Sequence, residues 1–226
     1  MAHYPKAFIY DLDGVITDTA EYHFLAWQKL AEELGISMDR QFNEQLKGIS
    51  RMDSLERILK LDPSLRELPD EEKLKLATQK NVHYLELVES INPNDILPGI
   101  ENLLKRNKEE QVKIALGSAS KNAQTIIDKL GLADYFDYIV DASRVEKGKP
   151  EPETFIVAAD ALGISYSECI GLEDSAAGVE AINKAGMFSV GVGEAAHLSH
   201  ADYLAASTSE LIFEEIINEY AKKNSR

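Results

Sequence analysis

Asp11 and Asp13 stand two residues apart, directly after the short apolar run Ala7-Phe8-Ile9-Tyr10 and just before Gly14. In extended chain such residues share a side, so the two carboxylates face the same way. Neighbouring carboxylates repel unless a cation lies between them or one holds a proton. A second acidic pair, Glu173-Asp174, ends another apolar run, and no cluster of His or Cys lies near either pair. Four such acids favour a hard, oxygen-preferring ion, most simply one Mg²⁺. Taken alone, Asp11-Leu12-Asp13-Gly14 is as readily a plain turn; its company at the other strand ends argues for chemistry.

Groups suited to phosphate accompany these acids. Ser118-Ala119-Ser120-Lys121-Asn122 places hydroxyls and small side chains between an expected strand and an expected helix. That composition cradles phosphate, and equally it caps a helix. Lys149 is biased towards extended backbone by Pro150, and its point charge would balance an anionic nucleophile and a phosphate. Lys147 offers the same charge, and spacing does not separate the two. Lys47-Gly48-Ile49-Ser50-Arg51 joins two expected helices, with Ser54 one turn later. Gly48 permits close backbone approach and Arg51 can grip a phosphate bidentately, although basic loops between helices are also ordinary surface features. His23 lies on an expected helix one turn before Trp27, where packing is the commoner role.

The elements that must position these residues follow from hydrophobic periodicity. Ala7 to Tyr10 reads as a buried strand that delivers acids at its carboxyl end. Asp18, with Glu21 three residues later, reads as the cap of a first helix carrying Phe24, Trp27, Ala31 and Leu34, with Gly35 at its stop. Helical patterns recur over 42–47, 53–61 and 71–90, with no convincing strand among them. Beyond Pro98-Gly99 strands and helices alternate: strands over 112–117, 138–140, 169–172 and 188–192, helices over 121–130, 153–162, 176–185 and 209–220. Apolar strands alternating with helices indicate a parallel sheet covered on both faces. The expected fold is therefore α/β: a Rossmann-like parallel-sheet core with helices on both faces, plus an inserted all-helical cap domain. Residues 1–17 and 93–226 would form the core and 18–92 the cap, with linkers over 15–18 and 92–97. Ligands bind beyond the carboxyl ends of such strands, which is where Asp11, Asp13, Ser118, Ser120, Lys149, Glu173 and Asp174 all fall.

Composition narrows the partners. A formal charge of −15 over 226 residues argues against nucleic acid, which needs a concentration of Lys and Arg on one surface. No apolar run approaches the ~20 residues that span a bilayer, and Met1-Ala2-His3-Tyr4-Pro5 carries no leader pattern. Cys169 is the only cysteine, so an intrachain disulfide is excluded and a reducing cytoplasm fits. Its apolar neighbours make it a buried small side chain rather than a nucleophile. Nothing in the sequence demands more than a monomer.

With these residues in order, the sequence resembles the haloacid dehalogenase-like superfamily. Asp11-Leu12-Asp13-Gly14, Ser118, Lys149-Pro150 and Glu173-Asp174 match its four motifs and span almost the whole core. Asp11 to His23, Leu46 to Arg51, Ser118 to Asn122 and Gly171 to Ser175 are similar to its β-phosphoglucomutase subgroup, essentially end to end. Gly117 and the run Lys147-Gly148 depart from that pattern without removing a functional side chain. The resemblance implies Asp11 as nucleophile, Asp13 as general acid/base, and Ser118 and Lys149 on the transferring phosphate. It implies Mg²⁺ held by Asp11, the Asp13 backbone and Asp174, with Glu173 beside it. Substrate contacts would come from the cap through Thr19, His23, Lys47, Gly48, Ile49, Arg51, Ser54 and Lys80, with His23 supporting Asp13. The core would contribute Ala119, Ser120, Lys121 and Asn122. The implied reaction interconverts β-glucose 1-phosphate and glucose 6-phosphate through β-glucose 1,6-bisphosphate. A small sugar-phosphate phosphatase sharing the aspartyl-phosphate chemistry is the rival, and a phosphosugar-binding protein without activity is a more distant one.

Overall fold

The structure, a computed structural model, describes residues 4–225. Residues 1–3 and 226, at the ends of the expected core and of the N-terminal stretch read above, lie outside the described residues. The first apolar run forms β1 (Ala7–Tyr10), buried along its whole length. Its side chains alternate as a strand's two-residue period requires: Phe8 and Tyr10 join the core on one face, Ala7 and Ile9 the core on the other. With β2 (Lys113–Leu116), β3 (Tyr138–Ile139), β4 (Cys169–Glu173), β5 (Phe188–Val192) and β6 (Tyr203–Ala205) it builds a parallel sheet in the order β3-β2-β1-β4-β5-β6.

β1 is where the strand order reverses, with β2 on one side and β4 on the other, the place where open parallel sheets bind ligands. Register fixes what meets there. Tyr10 is level with Leu116 and with Leu172, so the next residues along the three strands, Asp11, Gly117 and Glu173, emerge side by side. The Asp11 N–H donates to the Leu172 carbonyl at 3.0 Å and the Gly117 N–H to the Tyr10 carbonyl at 2.7 Å.

Between β1 and β2 lie α1 (Ala20–Glu33), α2 (Arg40–Asn43), α3 (Arg51–Leu59), α4 (Asp70–Leu87) and α5 (Ile100–Glu109). Phe24, Trp27, Leu30, Leu55 and Ile58 belong to a cluster drawn wholly from residues 24–77, separate from the two cores that sandwich the sheet. The segments leading into and out of this helical insert pair with each other. Thr17 and Ile96 form an antiparallel bridge, the Thr17 hydroxyl donates to the Asp95 carbonyl at 2.7 Å, and the Leu97 N–H donates to the Ile16 carbonyl at 2.9 Å. The remaining helices are α6 (Ala123–Lys129), α7 (Glu153–Leu162), α8 (Ala176–Lys184), α9 (Ala195–Leu198) and α10 (Phe213–Asn224).

Several expectations need correction. The residue before α1 is Thr19, not Asp18; its backbone is already helical and its side chain makes no capping bond. The helix expected over 42–47 is α2 followed by a tight turn at Glu44–Leu46. The closing helix starts four residues later than its polar entry suggests. Thr208–Glu210 closes a turn of its own and Ile212 stays extended, so Glu214 and Glu215 occupy the first turn of α10, where the helix dipole favours acids. Three elements were not anticipated: α5, the four-residue α9 and the three-residue β6.

Candidate active site

Asp11 and Glu173, set level by the register, are bridged by one cation. The Lys149 Nζ donates to Asp11 Oδ1 at 2.6 Å and also to Glu173 Oε1. All three side chains are essentially sealed from solvent. The other Glu173 oxygen accepts from the N–H and the hydroxyl of Ser175, both at 2.9 Å. Burial alone would lower the Lys149 pKa, but Asp11 and Glu173 outweigh it and hold the ammonium above its ordinary value. Burial pushes Asp11 up to about 6, while the bonded Lys149 restrains the rise and favours the charged carboxylate. An ionised carboxylate beside a fixed ammonium is a nucleophile whose charge is balanced on one side only.

Asp13 is in a different environment. Burial first, and the Asp11 charge second, push its carboxyl up to about 8, towards the protonated form that can donate. His23 Nε2 lies 3.7 Å from Asp13 Oδ2. The His23 ring stacks on Tyr84 with centroids 4.1 Å apart, and its Nδ1 is 2.7 Å from Lys80 Nζ. Burial, then Lys80 and Arg51, push the His23 pKa well down, which keeps the ring neutral. An ammonium has no acceptor, so a protonated Lys80 donates to Nδ1 and the ring's own proton sits on Nε2, towards Asp13. Lys80 itself is buried over the Trp27 and Tyr84 rings, and burial, reinforced by Arg51, pushes its pKa down to about 7.

The acids also fit a cation. Asp11, Glu173 and Asp174 offer oxygens that all lie within 4.8 Å of one another. Burial, then Glu173 and Asp11, push the Asp174 carboxyl well above the usual range. A dense set of carboxylates opposed by a single bonded lysine is the donor set of a hard divalent ion. The loop backbone presses on this set: Gly14 has φ +75°, and a Cβ there would lie 2.3 Å from Asp174 Oδ2. The Glu173 oxygens are already engaged by Lys149 and Ser175, which makes Glu173 an organiser of the acids more than a donor. The Asp13 side chain stands outside the set.

A cavity of about 450 Å³ opens over these groups, between the sheet's carboxyl edge and the helical insert. Asp11, Asp13, Ser118, Ala119, Ser120, Lys121 and Asp174 line it from the core, and His23, Lys47, Gly48, Ile49, Arg51, Ser54 and Lys80 from the insert. The insert rests directly on the core: Gly48 has φ +72°, and a Cβ on it would lie 2.5 Å from the Ser175 hydroxyl oxygen. On the phosphate-type loop, Ser118 Oγ accepts from the Ser120 N–H at 3.1 Å and Ser120 Oγ from the Asn122 N–H at 3.2 Å. These hydroxyls tie the turn before α6 and Ser118 to Lys121 line the cleft, while Asn122, the residue before α6, makes no side-chain capping bond.

Residues 5–186 match the family of haloacid dehalogenase-like hydrolases. The chain is 46% identical over 221 residues to the β-phosphoglucomutase of Bacillus subtilis (strain 168), covering 98% of each chain. A solved β-phosphoglucomutase from Clostridium difficile superposes with a TM-score of 0.96 at 49% identity, over 98% of this chain and 100% of that one. The chain belongs to the haloacid dehalogenase-like family, on its β-phosphoglucomutase branch. A more distant relative is the fructose-1-phosphate phosphatase YqaB of Escherichia coli (strain K12), 30% identical over 81% of this chain and 94% of that one.

Within this family frame, most residues singled out from the sequence converge on one cleft. Lys149 rather than Lys147 meets Asp11; Lys147 is exposed and its backbone N–H bonds Glu153. Thr19 is fully buried and does not line the cleft. Cys169 is buried, and burial pushes its thiol up to about 12, which suits packing and not nucleophilic chemistry. Asn122 touches the site through a residue that sequence reasoning missed, Asn81, whose side-chain oxygen accepts from both Asn122 and Arg51. Its one sequence signal is its place on a helical pattern, next to Lys80.

Proposed function

We propose that this protein is a Mg²⁺-dependent β-phosphoglucomutase, interconverting β-glucose 1-phosphate and glucose 6-phosphate through β-glucose 1,6-bisphosphate. One observation carries the reading. Asp11, bonded to Lys149, and Asp13, beside His23, share one end of a cleft that is roofed by an insert bringing Arg51 for a second phosphate. The relatives of similar length and highest identity described above carry the same name.

In one half-reaction Asp11 attacks phosphorus, the bond from phosphorus to the sugar oxygen breaks, and Asp13 gives its proton to that oxygen. In the other half the sugar hydroxyl attacks phosphorus on Asp11, the aspartyl bond breaks, and Asp13 takes the hydroxyl proton. The bisphosphate turns end for end between the halves, so each phosphate visits both Asp11 and the Arg51 end. Lys149 and Ser118 steady the transferring group, while Glu173 holds Lys149. Neutral His23, its Nε2 proton facing Asp13, orients that carboxyl without competing for its proton. Mg²⁺ held by Asp11, Asp174 and the Asp13 backbone would offset negative charge as two anions meet. Residues 18–92 act as a cap over a core of 1–17 and 93–226, excluding water so that sugar intercepts the phosphoryl group first. The reading includes a monomer in the cytoplasm; the lone buried cysteine fits the reducing compartment.

Product analysis with purified protein, Mg²⁺, β-glucose 1-phosphate and a trace of the bisphosphate tests this, with the α-anomer in parallel. Glucose 6-phosphate from the β-anomer alone is the expected result, with an Asp13→Asn variant slower by on the order of 10²–10⁴-fold. Free glucose with stoichiometric phosphate would instead assign a phosphatase.

A further inference from the structure

Asn81 follows Lys80 on α4, a step of about 100° around the helix, and the two side chains serve different parts of the cleft. Lys80 goes to His23, beside the acid/base carboxyl. Asn81 Oδ1 accepts from Arg51 Nη2 at 2.8 Å and from Asn122 Nδ2 at 2.9 Å. Arg51 opens α3 in the insert, whereas Asn122 stands immediately before α6 in the core. A guanidinium only donates, so the atom facing it must be the Asn81 oxygen, and Asn122 must turn its NH₂ towards that same oxygen. Apart from Lys129 donating to the Glu89 carbonyl near the crossing segments, this is the side-chain hydrogen bond joining the insert's helices to the core among the described residues.

We propose that Asn81 is a positioning residue for phosphoryl transfer: its carbonyl oxygen docks the cap on the core at Asn122 and aims Arg51 at the substrate's second phosphate. The inference rests on the mutase reading above. Arg51 has five N–H groups; one goes to Asn81, and the rest are free to grip phosphate from a guanidinium that no longer wanders. The bond to Asn122 makes the same grip conditional on the cap being down. Loss of the oxygen therefore weakens the hold on substrate and lets water reach the phosphorylated Asp11.

The test compares wild type, Asn81→Ala and Asn81→Asp in the mutase assay, reading KM, kcat and the inorganic phosphate released per glucose 6-phosphate formed. Asn81→Ala removes one charge-assisted and one neutral hydrogen bond, so KM rises roughly 10-fold, kcat falls by less, and the phosphate share rises severalfold. Asn81→Asp keeps an acceptor for both donors. Its phosphate share stays at the wild-type level, while its KM rises because an added negative charge opposes the substrate. Wild-type KM and phosphate share in Asn81→Ala would overturn the proposal, and so would an equal rise in phosphate share in both variants. Should Asn81→Ala not fold, Asn81→Asp decides alone, with a raised phosphate share as the overturning result. Wild type that makes no glucose 6-phosphate would instead sink the mutase reading and leave no question of positioning.

Discussion

Gly48→Ala separates two costs that a single glycine conceals. The first is backbone strain: Gly48 has φ +72°, a left-handed conformation that costs an L-residue about 1–2 kcal/mol. That cost is paid whether the cap is up or down, so it drains stability and leaves the closing equilibrium untouched. For a chain of this size it lowers Tm by roughly 2–8 °C. The second cost is steric and exists only when the cap is down. An alanine Cβ would sit 2.5 Å from Ser175 Oγ, where ordinary contact begins at 3.4 Å, so the loop must lift by about 1 Å. A displacement of that size at a catalytic constellation lowers kcat/KM on the order of 10²-fold. Ser175→Ala, added to Gly48→Ala, removes the hydroxyl and leaves the next atom, Ser175 Cβ, at 3.3 Å. The double variant should regain much of kcat/KM, measured against Ser175→Ala alone, without regaining Tm. Melting curves and steady-state kinetics on the four proteins decide the matter. A Gly48→Ala enzyme with lowered Tm and kcat/KM within twofold of wild type would refute the contact between this loop and Ser175 in the working state.

Two further outcomes follow from the buried charges. Unfolded Lys80 keeps its proton to about 10.5 and folded Lys80 releases it near 7, so between those values the unfolded chain binds more protons and stability rises with pH. Lys80→Met should therefore gain most on wild type at pH 6, by at most ~5 kcal/mol, with the gain fading towards pH 10.5; urea unfolding showing a pH-independent difference would contradict it. Mg²⁺ at a hundredfold excess over its Kd should stabilise wild type by about 2.7 kcal/mol, a Tm rise of roughly 5–10 °C. Asp174→Asn should lose most of that rise, and an unchanged rise would remove Asp174 from the cation's ligands.

Two strands were legible because each is a short apolar run with a clear stop: Ala7 to Tyr10 before the acid Asp11, Phe188 to Val192 before Gly193. Both have the bounds read from the sequence. α5 was not, because its polar surface, with Lys105, Arg106 and Lys108, obscures the burial of Ile100, Leu103 and Leu104. α10 was displaced because Ser209 resembles a helix cap, whereas its neighbours close a turn of their own. In the site, residue type and order located the acids, Ser118 and the Lys147–Lys149 region, but choosing Lys149 needed the three-dimensional meeting with Asp11. Asn81 was invisible for the same reason: its partners lie 30 and 41 residues away, and no local spacing encodes a contact of that range. Thr19 shows the reverse case, a polar residue at a promising place that the fold buries.

The paired crossing segments carry a consequence for ancestry. Because Thr17 bridges Ile96 and Leu97 bonds back to Ile16, the insert leaves and rejoins the sheet domain through a single doorway, with its two ends touching. A segment whose ends meet can be exchanged for another without rerouting a strand, which is why such places tolerate insertion. On the mutase reading, Asp11, Lys149 and Glu173 belong to the sheet side of the doorway, and Arg51 and Lys80 to the segment beyond it. New substrate preferences can thus arise by refitting the roof while Asp11, Lys149 and Glu173 stay where the register of three strands has put them.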